Sequence, residues 1–389
     1  MVGSQVLRPY STLIGLTILF WLSSSFLDTV ATANEDVVLS TIFIITIQLT
    51  RMVFMLGGVL IYRSIESLLY AAILVGIVQG ALLLWYLSRR FPRFWLRFDW
   101  ATFKEQAGYV LPFGIGGILY VMQSDFHSYL VANRFPPAQY ALYSVGASQL
   151  PLVNLLRDSV NRILLGRVSG LEQRGKNQQM LALIFRTIRK LSAIYLPVCA
   201  AVVVLGHELL ITMYTRQYLA SYPIPALNAF LLPIGALISD PVLRAHYKYR
   251  FTALKVRALT IPILVGMALW GMRYFGMVGA MGAFVFTSAL ERVLLFSFSV
   301  RILGVQRKDW KILSDVLKFS ISAAIAGLVT AYVRFALSGM RAQWVLLIGS
   351  AVFGCVYASM VISMRLLVAD EKQMINSYTI RYLRVAFLR

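Results

Sequence analysis

The chain of 389 residues is 59% hydrophobic and only 14% charged, yet it carries a formal net charge of +21. Soluble domains are about 45–50% apolar and about 25% charged, so a soluble globular fold is excluded. A nucleic-acid partner is not expected either, because the cations lie beside long apolar stretches, where membrane topology accounts for them.

Uncharged runs such as 67–88, 135–156, 217–239 and 342–364 are each long enough for the roughly 20 apolar residues of a spanning helix. In chain order the pattern predicts eleven spans, over 11–27, 39–61, 66–87, 107–131, 138–160, 182–205, 222–240, 255–273, 276–300, 314–334 and 343–365. The fold class is therefore an all-α polytopic membrane protein. Residues 1–10 hold one cation, Arg8, and no small-residue cleavage site, so no cleavable signal peptide is read there. Cys199 and Cys355 both fall inside spans and only three histidines are present. No disulfide framework, metal site or cofactor is expected.

The cations alternate between gaps. Rich gaps hold Arg89, Arg90, Arg93, Arg97 and Lys104; then Arg157, Arg162, Arg167, Arg174, Lys176, Arg186, Arg189 and Lys190. A third group is Arg244, Lys248, Arg250, Lys255 and Arg257, and a fourth is Arg301, Arg307, Lys308, Lys311 and Lys318. The tail adds Arg365, Lys372, Arg381, Arg384 and Arg389, whereas the intervening gaps hold only Arg63, Arg134, Arg216, Arg273, Arg334 and Arg341. Rich gaps are cytoplasmic, which puts the C-terminus in the cytoplasm and, with eleven spans, residue 1 outside. The gap 28–38 runs against this pattern, with Asp28, Glu35 and Asp36 and no cation. An odd number of further helices upstream would bring the N-terminus back to the inner side, so the chain is expected to lack its beginning.

The longest outer gap, 206–221, and the longest inner one, 161–181, are too short for a catalytic domain. No paired carboxylates, metal-ligand cluster, nucleophile elbow or phosphate loop is present, so no enzyme is expected. The segment 89–100, RRFPRFWLRFDW, alternates cations with aromatics as an interfacial linker does.

Four stretches carry a family likeness: 105–131 (EQAGYVLPFGIGGILYVMQSDFHSYLV), 138–153 (AQYALYSVGASQLPLV), 208–218 (ELLITMYTRQY) and 276–284 (GMVGAMGAF) with Glu291 following. Through them the chain resembles the polysaccharide biosynthesis family of oligosaccharide-lipid flippases. Its superfamily also holds multidrug extruders and lipid II flippases. The resemblance reads the chain as helices four to fourteen of that pattern, lacking the first three. It implies a two-bundle flippase architecture with an incomplete N-terminal bundle over 1–98, a six-helix bundle over 99–308, and two trailing helices with a cytoplasmic tail over 309–389. It also implies movement of an undecaprenyl-pyrophosphate-linked oligosaccharide across a bacterial inner membrane by alternating access, for O-antigen or exopolysaccharide synthesis. The partners are then the lipid-linked oligosaccharide, the bilayer, and polysaccharide polymerase or export machinery. The alternatives are a lipid II or small-molecule exporter of the same superfamily, or a membrane glycan polymerase or glycosyltransferase.

Ionisable residues inside spans are the functional candidates, because burying charge is costly. Arg51, with Gln48 one turn before it, offers a guanidinium fork for a pyrophosphate. Arg292 and Arg157 are further candidate cavity cations, and Arg162, Arg186, Arg189 and Lys190 are read chiefly as topology setters, with contact to the pyrophosphate at the inner leaflet as their second reading. Glu291 is a candidate gating or proton-responsive acid, in a polar stripe with Thr287 and Ser288, and Arg292 points roughly 100° away. Asp125 and His127 are transport candidates, although Gln123 and His127 share a helix face opposite Asp125. Where the family often has an acid followed by Arg, this chain has Asp125-Phe126-His127. Pro112, Gly114, Gly116, Gly117 and Gly279 are read as packing or hinge positions.

Overall fold

The structure, a computed structural model, describes residues 9–34, 36–92, 99–148 and 151–366. The middle of the segment 89–100, residues 93–98, and the tail cations beyond Arg365 lie outside the described residues, as does Gln149. The described residues are helical and form two compact units, Met1–Glu105 and Gln106–Arg389.

The first unit contains α1 (Ser11–Ser24), α2 (Phe26–Ala33), α3 (Val37–Tyr62) and α4 (Ile65–Arg90). α3 and α4 form a hairpin, entered through Arg63 in the left-handed region and the N-cap Ser64, whose side chain accepts from the Ser67 backbone. Gly58 permits the close approach: Ser67 donates to its carbonyl at 3.1 Å, and a Cβ there would lie 3.2 Å from the Ser67 carbonyl oxygen. A small core of Leu27, Ala31, Phe43, Ile47, Val75 and Tyr86 faces inward. Most other apolar side chains of α3 face out, Leu60 and Ile61 being 74% exposed. Such a surface is tolerable only against hydrocarbon, where it costs nothing while the helix satisfies its own backbone.

The acidic gap 28–38 finds its cation in this unit. Asp36 accepts from Tyr86 Oη at 2.7 Å and Asn34 Nδ2 at 2.8 Å, and pairs with Arg90 at 3.3 Å. The start of α3 and the end of α4 therefore sit at the same end of the hairpin, which puts the acidic gap beside the cation-rich one. The Tyr86 hydrogen bond, then that of Asn34, hold the half-buried Asp36 carboxyl below its usual range; desolvation opposes this, and Arg90 adds to it.

α5 (Trp100–Arg134) starts at the unit boundary and runs unbroken through Pro112. The second unit continues with α6 (Pro137–Ala147), α7 (Pro151–Gln173), α8 (Asn177–Met213), α9 (Pro223–Ala229), α10 (Leu231–Gly235), α11 (Asp240–Ala245), α12 (Thr252–Leu303), α13 (Ile312–Ala336) and α14 (Ala342–Ser363). Two expected spans are broken. The helix predicted over 138–160 stops after α6, because Pro151 has no N–H for the Ala147 carbonyl. Asn228 Nδ2 donates to that carbonyl instead, at 3.1 Å. The helix predicted over 222–240 is cut into α9, α10 and an irregular stretch at 237–239 before α11, in a segment containing Pro223, Pro225, Pro233 and Pro241.

Two other expected spans, 255–273 and 276–300, form one antiparallel hairpin within α12. Gly276 turns the chain at φ 58°, a conformation open to glycine. Beside the turn the backbones nearly touch: a Cβ on Gly271 would lie 2.7 Å from the Gly279 carbonyl oxygen. α8 packs against α13 and α14, with Phe319, Ala323, Ala326 and Thr330 on the buried face of α13 and Val345, Gly349 and Phe353 on that of α14. Ion pairs clamp α8 to α13 at both ends: Arg189 Nε to Asp315 at 2.7 Å, and Arg334 Nε to Glu208 at 2.7 Å. Arg189 also donates to the Leu366 carbonyl, so this presumed topology setter is a structural bolt. Among the described residues, six helices are long and apolar enough to cross a membrane, with α12 counted once for its two passes.

Candidate functional site

A cavity of about 690 Å³ lies within the second unit, walled by α5, α6, α7, α8, the broken α9–α11 segment and both halves of α12. α7 supplies its most charged wall. Arg157, Asp158, Asn161, Arg162 and Leu165 recur at helical spacing and line the cavity, while Leu164 and Val168 on another face are buried in the core. Breaking the helix at Pro151 starts α7 afresh, and α7 brings the charged stripe to the cavity.

Five guanidinium groups line the cavity, from Arg157, Arg162, Arg244, Arg257 and Arg292, against the carboxylates of Asp158, Asp240 and Glu291. They are not equivalent. Arg157 lies 3.6 Å from Asp158. Arg257 is committed: its Nε donates to Glu291 at 3.0 Å, its Nη1 donates to the Gly116 carbonyl at 2.7 Å, and it lies 5.0 Å from the Tyr120 ring centre. Arg162, Arg244 and Arg292 have no ion-pair partner among the described residues. Uncharged polar groups complete the lining. Gln123 and Tyr195 are both almost fully buried, and the Gln123 Oε1 and Tyr195 hydroxyl lack a hydrogen-bond partner among the described residues. Ser124, Ser148, Asn228 and Ser288 also line the cavity.

The residues singled out in the sequence are placed as follows. Arg157, Arg292 and Glu291 meet in the cavity wall. Glu291 does not pair with its neighbour Arg292 but with Arg257, across the α12 hairpin. Asp125 is exposed and points away from the cavity, as its helix phase requires. His127 is buried outside it, with Tyr143 Oη 2.6 Å from its Nδ1 and the Phe284 ring 4.2 Å away. Gln48 and Arg51 belong to α3 in the first unit, where Gln48 is exposed and Arg51 half-buried. The expected packing glycines separate into roles. Gly116 leaves space for Arg257, whose Nη1 would lie 3.4 Å from an added Cβ. Gly279 makes room for the hairpin, and a Cβ on Gly117 would enter the cavity. A Cβ on Gly114 would meet nothing, and Pro112 is buried within a continuous helix.

Arg257, Arg244, Asn161 and Tyr195 escaped the sequence reading as cavity residues. Arg257 and Arg244 lay in a gap whose cations were assigned to topology alone. The available signal was the hairpin register: Arg257 and Glu291 lie 19 and 15 residues either side of Gly276, so antiparallel halves bring them level.

Residues 2–223 match the family described as polysaccharide biosynthesis protein. The chain belongs to that family. No curated protein matches it by sequence. Among solved structures, it is similar to the lipid II flippase MurJ in its inward closed conformation, at TM-score 0.59 and 13% identity, covering 90% of this chain and 72% of that one. It is also similar to a mutant of the Vibrio cholerae MATE transporter VcmN, at TM-score 0.54 and 16% identity, covering 74% of this chain and 70% of that one. The bent form of VcmN gives TM-score 0.50 at 16% identity, covering 76% and 70%. At these identities the likeness establishes the shared fold, and with its long apolar helices this family member is a multi-pass membrane protein.

Proposed function

We propose that this polysaccharide biosynthesis protein is a flippase. It moves an undecaprenyl-pyrophosphate-linked oligosaccharide across the bacterial inner membrane, by alternating access, for O-antigen or exopolysaccharide synthesis. The observation that carries this reading is the second unit's cavity, lined beside Arg157 by Arg162, Arg244 and Arg292, none of which has an ion pair among the described residues. A guanidinium fork matches a phosphate in two parallel charge-assisted hydrogen bonds. The unpartnered Gln123 and Tyr195 groups and the serines would meet sugar hydroxyls. Membership of a polysaccharide biosynthesis family supports a glycan cargo over a small cationic drug, which this set of arginines would repel.

In this reading the chain is a transporter and not an enzyme, its C-terminus is cytoplasmic, and polymerase or export machinery acts downstream. Arg51, with Gln48 beside it, is proposed as a cargo-binding cation, while Asp125 and His127 act in helix positioning. Pro112 and the glycines after it give α5 the freedom to bend. Expression in cells lacking a surface-polysaccharide flippase tests the reading. Restored surface glycan, lost with Arg292→Gln and Arg162→Gln at unchanged membrane abundance, is the expected result; restoration that survives both substitutions overturns it.

A further inference from the structure

The cation cluster between α7 and α8, which the sequence presents as one group, goes to three destinations. Arg157 and Arg162 enter the main cavity, and Arg189 bolts α8 to α13. Arg167, Arg174 and Arg186 do neither. They line a separate groove of about 600 Å³ along the α7–α8 hairpin. All three are exposed, and none has an ion-pair partner among the described residues. Among the described residues, no acidic one lines the groove.

The groove floor is apolar and low. Gly166 and Gly170 lie one turn apart on α7, beside Leu171, and face Ala182 and Leu183 of α8. A Cβ on either glycine would meet no atom within 4 Å. Packing inside the protein therefore does not require these glycines, and larger residues there would fill the groove. The hairpin is held together elsewhere, through Leu164, Val168, Met180 and Ile184.

Depth in the membrane fits a lipid. α8 has 37 residues, about 55 Å at 1.5 Å per residue, against a hydrocarbon core of about 30 Å. Its uncharged run, 191–206, begins just after Arg186, Arg189 and Lys190. The groove residues of α8 thus lie one to three turns before that run, at head-group level. Basic pockets between helices at this level suit anionic head groups.

We propose that this groove is a binding site for an anionic phospholipid. The phosphate is held by Arg167, Arg174 and Arg186, and the start of an acyl chain lies over Gly166 and Gly170. The site is separate from the cargo cavity and does not depend on what the cargo is. Occupation would fill the gap beside the α7–α8 hairpin and so steady the helix that carries Arg157 and Arg162.

The test places the full chain in phosphatidylcholine nanodiscs doped with spin-labelled phosphatidylglycerol or, separately, spin-labelled phosphatidylcholine, and measures the motionally restricted fraction of each. Preferential restriction of phosphatidylglycerol is expected, at up to about fivefold in association for each arginine near the surface. The preference should fall at least roughly tenfold in Arg167→Gln/Arg174→Gln/Arg186→Gln. It should fall also in Gly170→Leu, which keeps every charge but fills the floor and favours the helix. Millimolar glycerol phosphate should leave the preference unchanged. Equal restriction of the two lipids overturns the proposal, as does a preference that survives the triple substitution. A preference untouched by Gly170→Leu overturns it in favour of diffuse surface charge, and competition by glycerol phosphate overturns it in favour of a soluble anion.

Discussion

Arg257 is the most constrained side chain of the cavity wall, and its neighbours show why. Its guanidinium spans the two halves of the α12 hairpin and reaches α5 through the Gly116 carbonyl. The Arg257 and Glu291 side chains are 12% and 6% exposed. Removing one partner of such a buried pair strands the other charge, at a cost of about 3–5 kcal/mol. Arg257→Ala is therefore expected to lower the thermal stability of the purified protein sharply. Arg257→Ala/Glu291→Ala should recover part of the loss, since neither charge is then left alone. Equal losses in the single and double variants would show that the pair does not act as a unit. Asp36 gives a pH-dependent counterpart in the first unit. Its folded pKa is lowered, so its contribution is complete above the unfolded aspartate value near 3.9. That contribution fades as pH falls through the lower folded value. Tyr86→Phe removes the largest cause of the shift and should lower stability above about pH 4 while shrinking the loss on acidification, as read from unfolding midpoints across the acid limb; an unchanged acid-side loss would count against the Tyr86–Asp36 bond.

At the scale of elements, prolines and glycines decide where the helices break and meet. Pro151 ends one helix and starts another, and Asn228 satisfies the carbonyl left over. Asn228→Ala should destabilise by about 1 kcal/mol, the usual net contribution of one hydrogen bond, since both groups are only half-buried, measured against Asn228→Asp, which keeps an oxygen but cannot donate. Gly271 and Gly279 show the opposite extreme. Gly279→Val should prevent closure of the α12 hairpin and abolish folded protein, whereas Gly114→Ala, which meets open space, should be tolerated. A correctly folded Gly279→Val protein would contradict the hairpin contact.

These particulars also show what the sequence could reveal. Apolar runs and alternating cations made the all-α membrane class and most helices legible, because hydropathy is a local property. Pro151 was visible, but the Asn228 partner that makes the break tolerable lies 77 residues away. Arg157 and Arg292 were readable as charges in or beside spans. Arg257 was not, because a cation near a helix end looks the same whether it faces head groups or crosses a hairpin to a buried acid. The acidic gap at 28–38 looked anomalous in sequence, since the pairing of Asp36 with Arg90 links residues 54 apart.

On the scale of the whole molecule, the two ends of α8 should lie on opposite sides of the membrane. In a Cys199→Ser/Cys355→Ser background, Asn177→Cys should react with an impermeant thiol reagent only from the cytoplasm and Thr215→Cys only from outside. Labelling of both from one side would undo the threading. The central claim is that the cation-lined cavity of the second unit carries a pyrophosphate-linked glycan. It is tested most directly by reconstituting the protein in vesicles with a fluorescent undecaprenyl-pyrophosphate-linked oligosaccharide and following its inward-to-outward movement. Movement is expected with the wild type and should be lost in Arg162→Gln/Arg244→Gln/Arg292→Gln, with Arg216→Gln retaining it. Unimpaired movement in the triple variant would contradict the claim, since the glycan would then be crossing without the guanidiniums that line its supposed path.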